Sequence, residues 1–247
     1  MFKEMLHRAR YAATILRPGA LALSPCICPL CGPTFLLRLA PNPVGVRCIR
    51  CGASAITMSL MSVVRAMRPE FASQAIYELS TRGPLYDFLR RKAANLTCSE
   101  YFDDIPPGAY RDGVLCQDVQ GLTFSDASFD VCTSTEVFEH VADDALGFRE
   151  IRRVLRHGGL FVFTVPLTET ETTVERARLR DGKIEYLLPP EYHGDRIRGR
   201  DQVLAFRNYG RDITSRLRAS GFSNAFIDWH FRSAFLGQGC GVVVAEV

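Results

Sequence analysis

The sequence predicts an α/β chain: a doubly wound, seven-stranded, mostly parallel sheet preceded by a small four-cysteine module. Three observations carry this. Two Cys-x-x-Cys pairs, each followed by Gly, stand 16 residues apart, at Cys28–Cys31 and Cys48–Cys51. From residue 58 onward short apolar runs alternate with amphipathic segments, the pattern of a parallel sheet with crossover helices. Acidic and hydroxyl side chains follow the ends of those runs, where ligands of such sheets bind.

Composition sets the frame. The 247 residues hold one good-sized domain and an appendage, and 47% apolar with 23% charged residues is ordinary for a globular chain. A formal charge of +3 does not demand a polyanionic partner. No apolar run approaches the ~20 residues of a membrane-spanning helix. Residues 1–24 read as a basic, loosely amphipathic helix, packed on its own domain in preference to a membrane surface. Nine cysteines, four of them in two tight pairs, suit a reducing, cytoplasmic setting with a metal site better than a disulfide framework.

The first module is expected over 25–57. Cys28, Cys31, Cys48 and Cys51 match the tetrahedral four-thiolate set that Zn2+ favours, and Gly32 and Gly52 stand where the chain turns under the ion. Phe35–Leu39 and Val44–Arg47 form the expected hairpin. A shell filled by four cysteines leaves no open position, so this zinc ribbon is structural, and the metal supplies folding free energy that so short a segment lacks.

The second module is expected over 58–247. Met58–Arg68 reads as a helix. Strands are expected at 75–79, 95–99, 113–116, 129–133, 160–165, 225–229 and 241–247. Helices are expected at 85–94, 143–155 and 211–219, with Gly158-Gly159 and Gly221 as stops. Glu78 ends the first strand, and Ser80-Thr81-Arg82-Gly83 turns into a helix. Glu100 follows the second, where a carboxylate accepts both hydroxyls of a ribose. Asp118 and Val119 follow the third, an acceptor beside an apolar wall for an adenine. Thr135 follows the fourth. The insertion 167–210 reads as a solvated cover carrying Tyr186, Tyr192, Phe206 and Tyr209.

The runs Asp118–Val131, Glu136-Val137-Phe138-Glu139-His140-Val141 and Arg149–Gly159 resemble the type 11 branch of class I S-adenosylmethionine (SAM)-dependent methyltransferases, densely between 112 and 166. Glu191-Tyr192-His193-Gly194-Asp195, Tyr209–Asp212 and Ala219–Phe222 resemble a subgroup with a zinc ribbon before that domain. The resemblance implies a Rossmann-like methyltransferase fold and SAM as methyl donor. It places the SAM ribose on Glu100, the adenine between Asp118 and Val119, and Glu78, Ser80, Gly83 and Thr135 around the remainder. The chain departs from the family in the first loop: only Gly83 remains of the usual three glycines, and Ser80 narrows the space.

Methyl transfer is an in-line displacement, and holding donor and acceptor in line supplies much of the catalysis. A hydroxyl acceptor also gains from a base, for which His140 and His193 are the candidates; packing at a helix start and a turn position are their structural alternatives. Glu136, Glu139 and His140 share one face of a turn. They resemble the metal-holding motif of some ubiquinone-type and small-RNA methyltransferases, which implies Mg2+ there, with His193 as a further ligand; the alternative is an acidic residue favoured at a helix N-terminus. The expected acceptor is the hydroxyl or amine of a small molecule or saccharide. Two alternatives stay open: an RNA or tRNA methyltransferase gripping nucleic acid through the ribbon, which the modest charge disfavours, and a non-catalytic scaffold, which the glycine-poor loop favours. Oligomeric state is not legible.

Overall fold

The computed structural model describes residues 16, 17, 19–194, 203–229, 231, 234, 235 and 240–247. Most of the helix expected over 1–24 lies outside these residues, as does Asp195. Where the segment is described it departs from helix, because Ala22–Ser24 already belong to a strand.

Contacts divide the chain into two compact units: residues up to 70 with 82–92 and 228–242, and residues 71–81 with 93–227 and 243–247. They do not follow the expected 25–57 and 58–247 boundaries. In the first unit, β1 (Ala22–Cys28), β2 (Gly32–Arg38) and β3 (Val46–Cys48) form an antiparallel sheet in that order. The expected hairpin is the β2–β3 pair; β1 adds a strand, because the chain reverses at Gly32, whose φ of +83° suits only glycine without strain. Helix α1 (Ala55–Met67) starts on Ser54, whose side chain accepts from the Thr57 amide, and it packs on α2 (Gly83–Lys92).

The second unit is built on six strands. These are β4 (Ala75–Glu78), β5 (Asn95–Cys98), β8 (Phe129–Thr135), β9 (Leu155–Thr164), β16 (Asn224–Asp228) and β17 (Val242–Glu246). They lie in the order β16-β17-β9-β8-β4-β5. The β5–β4–β8–β9 pairs are parallel and β17 runs antiparallel to β9. Leu160 to Phe163 are fully buried, as a strand covered on both faces must be. Helix α3 (Asp144–Val154) is capped by Asp143 and buries Gly147, Phe148, Ile151 and Val154, a helical stripe that joins one core with Ile213 and Leu217 of α4 (Ile213–Ala219).

Two expectations shift. The strand expected over 113–116 is instead half of a local hairpin, β6 (Tyr110–Arg111) with β7 (Val114–Leu115). Asp112 and Gly113 both have positive φ, the two-residue turn whose twist matches a hairpin, so the segment pairs with its neighbour and reaches the sheet only through a Glu100–Cys116 bridge. Among the described residues six strands pair where seven were expected. The helix expected to run to Leu155 ends at Val154, and Leu155 already pairs with Phe129, so the strand begins before Gly158-Gly159.

Candidate functional site

Strands leave β4 in opposite directions through the chain, to β5 on one side and β8 on the other, which opens a crevice at their carboxyl ends. A cavity of about 460 Å³ lies there. Glu100, Asp118, Val119 and His140 all line it. Ser99, Asp103, Gln117 and Gln120 add a polar wall, and Leu79, Val137, Val141 and Phe206 an apolar one.

Glu100 is 6% exposed, and its Oε1 accepts from the Thr81 amide at 2.7 Å, Thr81 Oγ1 at 2.9 Å and Ser80 Oγ at 3.2 Å. No hydrogen bond from a described residue reaches Oε2, so one acceptor is free for a ligand hydroxyl. Asp118 is fixed by its own turn: Oδ1 accepts from the Gln120 amide at 2.9 Å. The adjoining Gln117 is locked by a two-way bond with Thr123, at 2.6 Å and 3.0 Å.

Other expected cofactor contacts stand elsewhere. Glu78 is 2% exposed beneath the crevice, accepting from Thr133 Oγ1 across β4 and β8. Burial, with the charge of Glu100 adding, pushes its carboxyl up to about 8 despite the Thr133 bond. Ser80 is turned onto Glu100 and does not line the cavity. Thr135 ends β8 beside Thr164 of β9, and its buried Oγ1 has no hydrogen-bond partner among the described residues. Gly83 opens α2 at φ +86°, with no atom within 4 Å of where a Cβ would stand.

The histidines converge. His140 ends a 3-10 turn at Phe138–His140, and His193 lies on β13 (Tyr192–His193). Their rings meet edge to face, centroids 5.0 Å apart. Glu139 lies between them at 1% exposure, with neither carboxylate oxygen hydrogen-bonded among the described residues. Glu139 is the main cause that pushes His193 up to about 9, with Glu191 adding and burial opposing. Glu136, turned by a φ of +53°, is raised to about 8 by burial and then by Glu139. Its carboxylate is not among the ligand atoms that converge, so of the expected Glu136, Glu139 and His140 with His193 as a further ligand, Glu139, His140 and His193 come together.

Behind this turn stands Arg207 on β15 (Arg207–Asn208), 3% exposed, which sequence reasoning missed. It donates to the Phe138, Val141 and Ala142 carbonyls and to Glu175 Oε2 on β10 (Val174–Glu175), and it lies 3.8 Å from Asp144. Asp144 in turn accepts three bonds from Arg216 and one from Tyr209. Burial drives the Asp144 carboxyl upward, but these partners outweigh it and hold it below its ordinary value. The other wall comes from the hairpin β11 (Ala177–Arg180) with β12 (Lys183–Tyr186) and from β14 (Val203–Leu204): Leu179, Ile184 and Leu204 face the cavity. Asp181-Gly182, both at positive φ, was the available signal for that hairpin.

In the first unit, the Sγ atoms of Cys28, Cys31, Cys48 and Cys51 lie within 4.8 Å of one another, with Cys28–Cys51 at 3.7 Å and Cys31–Cys48 at 3.5 Å. Sulfurs held at ~2.3 Å from one tetrahedral zinc stand about 3.8 Å apart. The four cysteines therefore fit Zn2+. All nine cysteines are unbridged.

Fold and crevice together define a doubly wound α/β domain with a cavity at the carboxyl ends of its parallel strands. Residues 80–163, about a third of the chain, match the family model described as "Methyltransferase domain". That stretch is similar to a methyltransferase domain. Among solved structures, the fold is similar to a SAM-dependent methyltransferase from Mesorhizobium loti, 18% identical, TM-score 0.50, covering 76% of this chain and 98% of that one. A second similar structure is 1,6-didemethyltoxoflavin-N1-methyltransferase from Burkholderia thailandensis with 1,6-didemethyltoxoflavin and S-adenosylhomocysteine bound, 15% identical, TM-score 0.47, covering 78% and 77%. No curated protein matches the chain at a significant level. Among the described residues, no helix is long and apolar enough to cross a membrane.

Proposed function

We propose that the chain moves a methyl group from SAM to a hydroxyl or amine of a small-molecule or saccharide acceptor, in a cytoplasmic setting that suits its unbridged thiols. One observation carries this: Glu100, Asp118 and His140 line a single cavity of nucleoside size. Glu100 accepts the ribose hydroxyls through Oε2, and Asp118 accepts from the adenine amino group against Val119. Bound SAM supplies a sulfonium methyl, transferred in line with departure of the thioether.

His140 is set for the acceptor's proton. Its Nδ1 stands 2.8 Å from the Leu204 carbonyl, which only accepts, so Nδ1 carries a hydrogen and Nε2 is the nitrogen left to take up a proton. His193 is the second candidate base. The apolar walls exclude water from the reacting atoms, and positioning supplies the larger share of rate. We also assign Zn2+ to the four cysteines, as a structural ion.

The glycine-poor loop bears on the scaffold reading. Ser80 and Thr81 spend their donors on Glu100, which leaves SAM one carboxylate oxygen there instead of two. Incubation with methyl-labelled SAM and acceptor panels of phenols, amines and sugars tests the reading. Label is expected in a small product. Label in RNA alone would transfer the assignment to nucleic acid, and SAM binding without transfer to any fraction of a cell extract would favour the scaffold.

A further inference from the structure

The hairpin of β11 and β12 has two unlike faces. Its register pairs Ala177 with Tyr186 and Leu179 with Ile184, and between them Arg178 with Glu185 and Arg180 with Lys183. Paired residues share a face and successive residues alternate. One face is therefore apolar, its single polar side-chain atom being the Tyr186 hydroxyl. The other is charged, and on it Arg178 forks onto Glu185 at 2.8 and 3.0 Å.

The apolar face is the one turned to the cavity, because Leu179 and Ile184 line it. At the inner end of that face Ala177 is buried with Leu204 and Phe206 in a small core, and both of these also line the cavity. At the outer end Leu179 and Ile184 stay 55% and 45% exposed. The root of the hairpin is fixed: the Arg176 and Ala177 amides donate to the Phe206 carbonyl at 2.8 and 3.1 Å, and the Leu187 and Leu188 amides to the Arg176 carbonyl at 2.8 and 3.1 Å. An apolar rail thus runs from a closed core to the mouth of the cavity, and its outer half remains open to solvent.

The rail begins beside His140, whose Nδ1 is bonded to the Leu204 carbonyl at 2.8 Å. The polar liners Glu100, Gln117 and Asp118 belong to the segments after β5 and β7, away from the hairpin. A sugar body on the rail would bring its hydroxyls against Leu, Ile and Phe side chains, which offer no hydrogen-bond partner, and desolvating them there is costly. A hydrocarbon body would instead gain by burying its surface with that of Leu179 and Ile184.

We propose that the rail is the acceptor subsite and that it selects a molecule with an apolar body. The hydroxyl or amine stands at His140, the hydrocarbon lies along Leu204 and Phe206, and its far end is covered by Leu179 and Ile184, which set the specificity. A saccharide acceptor is disfavoured. That the group at His140 receives a methyl rests on the proposed function; the apolar subsite does not.

The rival account is that Leu179 and Ile184 are incidental surface residues, as scattered exposed apolar side chains often are. Full-length protein with zinc in the ribbon and saturating S-adenosylhomocysteine is titrated by calorimetry with 4-alkylphenols of growing tail, from methyl to hexyl, and with methyl glucoside. Affinity for the phenols is expected to rise about two- to fourfold per methylene, the gain of burying each one. That gain is expected to shrink at least by half in Leu179→Gln and in Ile184→Gln and to persist in Lys183→Gln, on the charged face. Circular dichroism and S-adenosylhomocysteine titration show that each variant is folded. Absence of phenol binding, affinity independent of tail length, or a gain unaltered in both apolar-face variants overturns the subsite, and methyl glucoside binding as tightly as the butylphenol overturns the class of acceptor. Tail-dependent binding with no methyl transferred from SAM to any phenol, amine or cell-extract fraction would count against the proposed function and leave the subsite standing.

Discussion

The Thr81 backbone amide donates to Glu100 Oε1 at 2.7 Å, so the loop after β4 is tied to the carboxylate after β5. A glycine-rich loop leaves its amides for the ligand; this one spends a backbone and two side-chain donors on Glu100. The bonds hold the carboxylate in place before SAM arrives. Replacing Glu100 by Gln removes the charge from three hydrogen bonds and from the ribose contact together. Bonds to a charged group contribute about 1.5–3 kcal/mol each, so SAM affinity is expected to fall at least tenfold, as read by calorimetry. Thr81→Val, which keeps the amide, is expected to change it less than Glu100→Gln.

Val119 supplies a second test. A Cβ at Gly147 on α3 would stand 3.1 Å from Phe138 and 3.4 Å from Val119 Cγ1. Phe138 cannot yield, because it stacks on Phe148 at 4.8 Å and lies against Phe161 and Phe163. Alanine would gain about 1 kcal/mol of helix propensity, yet overpacking costs about 1–3 kcal/mol. Gly147→Ala is expected to lower the urea midpoint and to weaken SAM binding through the displaced Val119.

Arg207 is a buried cation with its partners built around it. Removing one member of such a set leaves charge uncompensated at about 3–5 kcal/mol. Arg207→Gln is expected to lose stability on that scale by chemical denaturation. Arg211→Gln, whose side chain is 65% exposed beside Glu171, is expected to stay within about 0.5 kcal/mol of wild type.

Asp144 sets an acid limit. Its carboxyl is held below the ordinary value, so the folded state binds this proton more weakly than the unfolded chain does. The contribution is complete above the unfolded value of about 3.9 and is lost as pH falls through the lower folded value. Urea midpoints measured from pH 6 to pH 2 are expected to fall in the acid range. Asp144→Asn is expected to be less stable at pH 7 and to show a shallower acid slope.

The ribbon predicts one zinc per chain. Cys31→Ser is expected to lose that ion by elemental analysis and to raise amide exchange across β1 to β3. The same exchange pattern is expected on chelation of the wild type, because so short a sheet draws its stability from the metal.

How much of this was legible follows from the range of each interaction. The four cysteines were legible because Cys spacing is a local pattern, and Glu100 because the strand before it forms as expected, while Asp118 lines the same cavity although the strand expected before it is a hairpin. The expected strand at 113–116 failed on a local signal left unused, Asp112-Gly113, which closes a hairpin before the sheet can recruit it. Asp181-Gly182 hid the cavity's outer hairpin in the same way. Arg207 was beyond reach: it holds the carbonyls of the 138–142 turn from 65 or more positions away, and no period encodes that meeting, whereas His193 was set beside His140 only through the family resemblance. Glu78 and Ser80 stood at the expected strand tip, yet Thr133 and Glu100 turn them away from the cavity.

SAM binding to the full chain by isothermal titration calorimetry, beside Asp118→Ala, tests the account where it is most exposed. One site per chain is expected, with affinity reduced at least tenfold in the variant while circular dichroism stays unchanged. No heat at millimolar SAM, or equal affinity in the two proteins, would contradict it.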